Sequence, residues 1–318
     1  MRKIVSFANN TVEPSYESSV FSNISDAEYI NTVAKTDEEV ISAAKDAEVI
    51  LFTSTSLNRN VLSKLENCKL IVRYGIGYDT VDCDAAREMG IIVCNSPKYG
   101  VIDVAEHAIA LMFAASKNLV AMNDRIRNDE WNSGDYQNVR LTGKTIGFLG
   151  FGSIGRAVCK RTNGCEMKPL VYDPYVSDEV LNEYGAKRCS IDEVLQFSDV
   201  ITCHLPLNDE TYHMLGKEEF KKMKNSAILV NTSRGGVINE SELIDALENG
   251  EIAGVGLDVL EDECGGMDKR MLKVKNAVLS PHVAWNTPDA MDTIHMEVAD
   301  NVARYFRGER PESIVNGL

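Results

Sequence analysis

The sequence has few basic residues relative to its acidic ones. It contains 33 Lys and Arg against 48 Asp and Glu, which gives a net charge of −15. This balance argues against a basic face that binds nucleic acid or anionic lipid. The sequence also lacks an apolar stretch near its start that is long enough for a signal peptide or a membrane helix, so we expect a cytoplasmic protein. Internal repeats and low-complexity tracts are missing too.

The eight cysteines lack the close-paired spacing of metal sites. Cys94 and Cys203 lie in apolar runs that indicate strands. We therefore expect reduced thiols in the core and no bound metal.

Apolar and helical segments alternate along the 318 residues. This length allows two domains of roughly 100 to 200 residues each, and the alternation is typical of parallel sheets covered by helices. A helix over residues 104–119 is expected to be buried between domains or subunits, a polar arm over 123–138 follows it, and a last helix over 289–307 could return to the first domain. The predicted strands cover residues 3–7, 48–52, 70–73 and 91–94 in one sheet, and 145–149, 170–173, 200–204, 227–231, 255–259 and 277–280 in another.

A glycine-rich turn follows the strand over 145–149. Its sequence is Gly150-Phe151-Gly152-Ser153-Ile154-Gly155. In a dinucleotide site the first glycine permits the tight turn, the second lets the backbone approach a pyrophosphate, and the third lets the next helix pack closely. The pyrophosphate then meets the free amides at the N-terminus of that helix.

Asp173 ends the second strand of this unit. A carboxylate there accepts hydrogen bonds from both ribose hydroxyls and repels the extra phosphate of NADP, so the sequence predicts NAD. The alternative is that Asp173-Pro174 is only a turn that ends a strand.

Polar residues follow further strands of the second sheet, where parallel sheets bind ligands. They suit hydride transfer to a 2-oxo acid. Arg234 can form a forked pair of hydrogen bonds with a substrate carboxylate, and His282 can donate a proton as an alkoxide forms. The plainer interpretation is a solvated turn for Arg234 and a loop residue for His282. His107, His213 and His295 lack such positions and are interpreted as structural or exposed.

Seven ordered elements resemble the D-isomer-specific 2-hydroxyacid dehydrogenase family over nearly the whole chain. The resemblance implies two Rossmann-like or flavodoxin-like α/β lobes, with a substrate domain of residues 1–100 plus 286–318 and an inserted NAD-binding domain of residues 101–285. It also implies a cleft that closes on ligand, and a homodimer. The elements are Arg73-Tyr74-Gly75-Ile76-Gly77-Tyr78-Asp79, Val104-Ala105-Glu106-His107-Ala108, the glycine motif, His204-Leu205-Pro206-Leu207, Asn231-Thr232-Ser233-Arg234-Gly235-Gly236, Gly256-Leu257-Asp258-Val259 and Ser280-Pro281-His282.

The resemblance also implies roles for individual residues. Arg234, His282 and Glu263 are the implied catalytic set, Asp258 lies near the nicotinamide amide, and the backbone of Gly75 and Ile76 binds the substrate carboxylate as an anion nest. The implied cofactor contacts are Gly150, Gly152, Ser153, Ile154, Gly155, Asp173, His204, Pro206, Thr211, Thr232, Arg234, Asp258 and His282.

The acidic loop departs from the family pattern. The family usually has a proline directly after the catalytic glutamate, whereas this chain reads Glu261-Asp262-Glu263-Cys264-Gly265-Gly266. Glu263 keeps the family's spacing from Arg234 and is preferred. Glu261, or a solvated loop that does not touch His282, are the alternatives.

The substrate is expected to be a small 2-oxo acid of the glyoxylate or hydroxypyruvate type. Candidate side-chain contacts are Ser54, Tyr99 and Trp285, although Trp285 can equally be a dimer or core residue.

A D-3-phosphoglycerate dehydrogenase would need further cations, which Arg73 and Lys98 could supply unless they are surface charges. The sequence also ends at Leu318 without the regulatory domain that many of those enzymes carry. An NADH-sensing scaffold like the C-terminal-binding corepressors is the alternative of another class.

Overall fold

The computed structural model describes residues 2–8, 15–22, 24, 26–132, 137–263 and 265–318. The chain divides into two compact units, Met1–Gly100 with Asn286–Leu318, and Val101–Trp285. Each unit is built on a parallel sheet, so the predicted α/β class with two Rossmann-like sheets is confirmed. Cys264 and part of the predicted polar arm, residues 133–136, lie outside the described residues.

The first unit has a five-stranded parallel sheet within its described residues, in the order β2-β1-β3-β4-β5. This order is the flavodoxin-like one. The strands are β1 (Arg2–Phe7), β2 (Ala27–Asn31), β3 (Val49–Phe52), β4 (Leu70–Arg73) and β5 (Ile92–Cys94). The helices are α1 (Ser15–Phe21), α2 (Asp37–Ala44), α3 (Arg59–Leu62), α4 (Cys83–Glu88) and, near the end of the chain, α12 (Pro288–Phe306).

Local sequence explains where these helices begin. Thr36, Asn58, Asp82 and Thr287 each accept a hydrogen bond from a backbone amide in the first turn of the helix that follows. A side-chain oxygen at this position satisfies an amide that has no partner within the helix. Pro288 occupies the first turn of α12, where its missing N–H costs nothing.

The second unit has a seven-stranded parallel sheet within its described residues, in the order β12-β11-β10-β9-β6-β7-β8. The strands are β6 (Thr145–Leu149), β7 (Lys168–Tyr172), β8 (Lys187–Arg188), β9 (Val200–Cys203), β10 (Ile228–Asn231), β11 (Gly254–Leu257) and β12 (Ala277–Leu279). The helices are α5 (Val101–Ser116), α6 (Leu119–Arg127), α7 (Ser153–Thr162), α8 (Asp178–Glu183), α9 (Ile191–Phe197), α10 (Lys217–Lys222) and α11 (Glu240–Glu248).

The order of this sheet places a topological switch point between β6 and β9. The chain moves outward from β6 to β7 and β8 on one side, and from β9 to β12 on the other. In such sheets the ligand lies beyond the carboxyl ends of the strands at the switch point. The glycine-rich turn after β6 is therefore at the expected ligand-binding position.

The prediction of a polar arm over residues 123–138 is wrong in its first part, because helix α6 continues to Arg127. The buried helix predicted over 104–119 ends at Ser116, since Asn118 is left-handed with φ 50° and so interrupts the helix.

The seven cysteines within the described residues are unpaired. Among the helices built from described residues, none is long and apolar enough to cross a membrane.

Candidate active site

The glycine turn after β6 is packed too tightly for side chains at two of its positions. Gly150 has φ 87°, and a Cβ there would lie 2.6 Å from the carbonyl oxygen of His204. A Cβ at Gly155 would lie 2.8 Å from the Gly150 carbonyl oxygen. At Gly152 a Cβ would meet nothing within 4 Å, so the backbone faces open space where α7 begins. This geometry suits an anion held by the N-terminus of α7.

Asp173 lies directly beside that turn. Its Oδ2 accepts a hydrogen bond from the amide of Phe151 at 2.7 Å, and its Oδ1 accepts from the amides of Tyr175 at 2.8 Å and Val176 at 3.1 Å. The Arg188 guanidinium donates to the backbone carbonyl of Asp173 at 2.9 Å and forms an ion pair with Asp178. The carboxylate is thus fixed at the edge of the glycine turn.

His204 follows β9 and stacks against Phe148, with ring centroids 6.3 Å apart. Its Nε2 lies 2.9 Å from the Thr202 hydroxyl. Burial lowers the pKa of His204 to about 3, so the ring is neutral at pH 7. Pro206 is exposed, whereas the hydroxyl of Thr211 donates to the Pro206 carbonyl at 2.7 Å and closes the loop.

Asn231, at the end of β10, organises the turn that carries Arg234. Its side chain accepts from the Ser233 amide at 2.9 Å and donates to the Arg234 carbonyl at 2.8 Å. The Thr232 hydroxyl is buried and has no hydrogen-bond partner among the described residues. A Cβ at Gly235 would lie 1.9 Å from the carbonyl oxygen of Leu260, so only glycine lets the chain after β11 pass beside this turn.

His282 lies in the turn after β12 and has a left-handed backbone with φ 54°. Its Nδ1 lies 2.7 Å from Oε2 of Glu263. A carboxylate accepts but does not donate, so Nδ1 donates the proton in this contact and Nε2 takes no part in it. Glu261 instead contacts His213, with 2.7 Å between Oε1 and Nε2.

Asp258 contacts the same turn from the end of β11. Its carboxylate accepts from the amides of Val283 at 3.0 Å and Ala284 at 2.9 Å, and its carbonyl accepts from the amide of His282 at 2.7 Å. Burial disfavours ionisation, but these bonds and those from His107 and Ser280 hold the pKa of Asp258 below its usual value. Trp285 donates from Nε1 to the His282 carbonyl at 3.0 Å.

The candidate substrate residues of the first unit differ in their surroundings. Ser54 is exposed after β3, and Tyr99 is half-buried against the core. The amide of Gly75 donates to the Arg73 carbonyl at 3.0 Å, and the Arg73 guanidinium lies over Gly75, where a Cβ would come within 1.9 Å of Nη1. Asn95 donates to the Ile76 carbonyl at 2.7 Å. Lys98 forms an exposed ion pair with Glu312 at 3.0 Å, so it is a surface charge.

The remaining histidines have structural contacts, but one of them lies nearer to the site than the sequence suggested. His295 Nδ1 lies 2.5 Å from the buried carboxylate of Glu17, which also accepts from the Tyr74 hydroxyl at 2.9 Å. His107 Nε2 lies 2.8 Å from the Ser280 hydroxyl and 3.4 Å from Asp258. The expectation that His107 has no place near the strand ends is therefore wrong.

The second unit meets the requirements of a dinucleotide. The open face of Gly152, the fixed carboxylate of Asp173 and the unpartnered hydroxyl of Thr232 suit an anion site, a ribose acceptor and a further polar contact. Arg234, Asp258 and His282 follow the adjacent strands β10, β11 and β12, whose carboxyl ends share that edge. These features define a nucleotide-binding α/β protein with a histidine–carboxylate pair at the ligand edge.

Comparison with known proteins identifies the family. Residues 109–284 match the model of the D-isomer specific 2-hydroxyacid dehydrogenase NAD binding domain. The chain is 38% identical over 278 residues to the glyoxylate reductase of Thermococcus litoralis, covering 85% of this chain and 83% of the relative. The chain therefore belongs to the D-isomer specific 2-hydroxyacid dehydrogenases, a family of oxidoreductases with an NAD-binding domain.

Two further similarities bear on length and fold. The chain is 36% identical over 287 residues to the D-3-phosphoglycerate dehydrogenase of Archaeoglobus fulgidus, and this match covers 90% of the chain but only 54% of that relative. The chain thus spans about half the length of that enzyme. The structure of D-lactate dehydrogenase from Aquifex aeolicus, solved with NAD and lactic acid, matches with a TM-score of 0.89 and 30% identity, and covers 100% of both chains.

Proposed function

We propose that the protein is an NAD-dependent D-2-hydroxyacid dehydrogenase that reversibly reduces a small 2-oxo acid of the glyoxylate or hydroxypyruvate type. The observation that supports this function best is the contact between His282 and Glu263 at the ligand edge of the second sheet, 2.7 Å from Nδ1 to Oε2. A histidine whose second nitrogen is fixed by a carboxylate is the arrangement required of a general acid.

His282 transfers the proton in this mechanism. When NADH is bound it supplies the hydride that reduces the substrate carbonyl. His282 begins as the imidazolium, which Glu263 stabilises through Nδ1–H. Its Nε2–H donates the proton to the carbonyl oxygen as negative charge develops there, and this leaves a neutral imidazole. In the oxidative direction Nε2 accepts the hydroxyl proton of the 2-hydroxy acid.

Arg234 orients the substrate. Its turn is fixed by Asn231 and by the close passage of Leu260 over Gly235. A guanidinium carried by this fixed turn can form two parallel hydrogen bonds to the substrate carboxylate and keeps its charge throughout the reaction. It also stabilises the oxyanion that His282 protonates.

The proposed preference for NAD over NADP rests on Asp173. Three backbone amides hold its carboxylate beside the glycine turn. A negative charge in that place accepts from ribose hydroxyls and repels a 2′-phosphate.

D-3-phosphoglycerate dehydrogenase is the second candidate. Two observations favour it, namely relatives of that name and the position of the Arg73 guanidinium over Gly75. Lys98 does not add to this candidate, because it is paired with Glu312 at the surface.

We also propose a homodimer in the cytoplasm. The location rests on the sequence argument alone. For the dimer, α6 exposes apolar side chains beside a cavity of about 670 Å³, with Leu119 51%, Val120 43% and Ile126 49% exposed. Apolar surface of this kind is costly to leave in water. Sedimentation that gives a monomer at micromolar concentration would contradict the dimer.

A panel of 2-oxo acids tests the function directly. Loss of NADH absorbance is followed with glyoxylate, hydroxypyruvate, pyruvate, 2-oxobutyrate, 2-oxoisocaproate and phosphohydroxypyruvate, with NADPH run in parallel. Rapid turnover of glyoxylate or hydroxypyruvate is the expected result, and preference for phosphohydroxypyruvate would favour the second candidate. Tight NADH binding without turnover of any acid would contradict both and favour an NADH-sensing scaffold.

A further inference from the structure

His107 reaches the ligand edge because α5 lies unusually close to β11. A Cβ at Gly256 would lie 2.8 Å from Cβ of Leu111, so the glycine in β11 permits this approach. His107 lies about one helical turn before Leu111. Its side chain, 27% exposed, extends to the end of β11, where Nε2 lies 3.4 Å from Oδ1 of Asp258.

The carboxylate of Asp258 is occupied by groups of the turn that carries His282. Oδ1 accepts from the Ser280 hydroxyl at 2.5 Å and from the Val283 amide at 3.0 Å, and Oδ2 accepts from the Ala284 amide at 2.9 Å. Asp258 is 1% exposed. Its principal contacts are therefore with residues on both sides of His282.

The direction of the hydrogen bonds follows from their chemistry. A carboxylate only accepts, so the Ser280 hydroxyl donates its proton to Asp258. The Ser280 oxygen then accepts from Nε2–H of His107, 2.8 Å away. A chain of donors thus runs from His107 through Ser280 to Asp258, and the position of His107 fixes the orientation of the Ser280 hydroxyl.

The turn needs such support because the His282 backbone is strained. A φ of 54° is uncommon for a residue other than glycine, and it persists only where the surroundings hold it. The amide of His282 donates to the Asp258 carbonyl at 2.7 Å, and the His282 carbonyl accepts from Nε1 of Trp285 at 3.0 Å. Both polar groups of this peptide backbone are therefore fixed.

We propose that His107 is a positioning residue for the reaction. It acts through Ser280 and Asp258 to hold residues 280–284 in the conformation that presents His282 to the substrate. His107 itself touches neither substrate nor cofactor. This role rests on the proposed function of His282 as the acid–base group.

Paired substitutions at His107 test the proposal by kinetics. His107→Leu removes the donor, whereas His107→Gln places an amide N–H near the position of Nε2. His107→Leu should lower kcat about 10-fold and leave the KM for the oxo acid and the Kd for NADH within about two-fold, because ground-state binding is not altered. His107→Gln should restore most of the loss. Ser280→Ala should resemble His107→Leu, and the double variant should be no worse than either single one.

A neighbouring residue of α5 supplies the control. Glu106→Gln changes an exposed residue that pairs with Arg161, and kcat should stay within about two-fold of wild type. If wild type is active and His107→Leu keeps its kcat, or loses kcat and NADH binding together, the positioning role is wrong. If wild type reduces no acid of the panel, the proposed function has failed instead.

A spectroscopic readout does not depend on turnover. With ring-labelled histidine the protein gives signals from five histidines, and that of His282 is assigned by its loss in His282→Gln. His107→Leu should shift or broaden the His282 signal, and Glu106→Gln should leave it unchanged. An unaltered His282 signal in His107→Leu would overturn the proposal.

Discussion

The carboxylate of Glu261 contacts His213, with 2.7 Å between Oε1 and Nε2. Its second oxygen accepts from the Glu240 amide at 3.3 Å, and its own amide donates to the Glu240 carboxylate at 2.9 Å. Glu261 is thus engaged by His213 and Glu240. The neighbouring acid, Glu263, is the one that contacts His282.

The first prediction separates these two acids. Glu263→Gln should lower kcat by about 10- to 100-fold, because a charge-assisted hydrogen bond to the imidazolium is lost. Glu261→Gln, the matched control, should change kcat by less than about three-fold. Steady-state rates with the best oxo acid measure both variants. Equal losses would mean that Glu263 has no special role in proton transfer.

The second prediction concerns the choice of cofactor. Asp173→Ala should lower the ratio of kcat/KM for NADH to that for NADPH by about 10-fold, since repulsion of the 2′-phosphate is removed. Asp173→Asn provides a second variant that removes the charge but keeps a hydrogen-bond acceptor. Asp178→Asn removes an exposed acid that pairs with Arg188, and should leave the ratio nearly unchanged. An unchanged ratio in both Asp173 variants would reject the role of this carboxylate.

The third prediction follows from the buried, neutral ring of His204. Its folded-state pKa of about 3 lies below the unfolded value of about 6.5. Below pH 6.5 the unfolded chain binds a proton that the folded protein does not, so this site weakens stability as pH falls. The loss is at most about 1.4 kcal/mol per pH unit, and it is absent above pH 6.5 or so.

His204→Gln should therefore lose less stability than wild type between about pH 7 and pH 5. Urea denaturation of both proteins at several pH values gives the difference in the free energy of unfolding. Parallel curves over this range would show that His204 titrates normally in the folded protein.

The fourth prediction tests how the acidic loop is placed. Gly235→Ala puts a Cβ 1.9 Å from the Leu260 carbonyl oxygen, so the chain leading to Glu263 must move. The free energy of unfolding should fall by roughly 3 kcal/mol, and kcat should fall with it. Gly164→Ala is the control, because a Cβ there meets nothing within 4 Å. A Gly235→Ala protein as stable as the control would contradict the close passage of this loop.

The sequence predicted the strands whose own side chains form a continuous apolar segment. Strand β10 is buried along all four of its residues, and it is therefore recognised in the sequence as an apolar segment. Strand β2 was missed because three of its residues are half-buried, two are exposed and none is buried, and β8 because it consists of two exposed residues, Lys187 and Arg188. Neither leaves a continuous apolar segment.

The same distinction applies to the candidate site. Residues directly after strands, such as Asp173 and Arg234, are placed by the strands themselves. The contact of His107 with Ser280 depends on how closely α5 crosses β11, and the only local sign of that approach is Gly256. The path of residues 260–263 likewise depends on Gly235, which lies in another loop. Sequence spacing alone therefore left Glu261 open as an alternative to Glu263.

The most direct measurement of the central claim is the turnover of His282→Gln with the best acid of the panel. The variant should bind NADH nearly as well as wild type and lower kcat by about two to four orders of magnitude, the usual contribution of a general acid. Turnover within a few-fold of wild type would contradict the assignment of His282 as the proton donor.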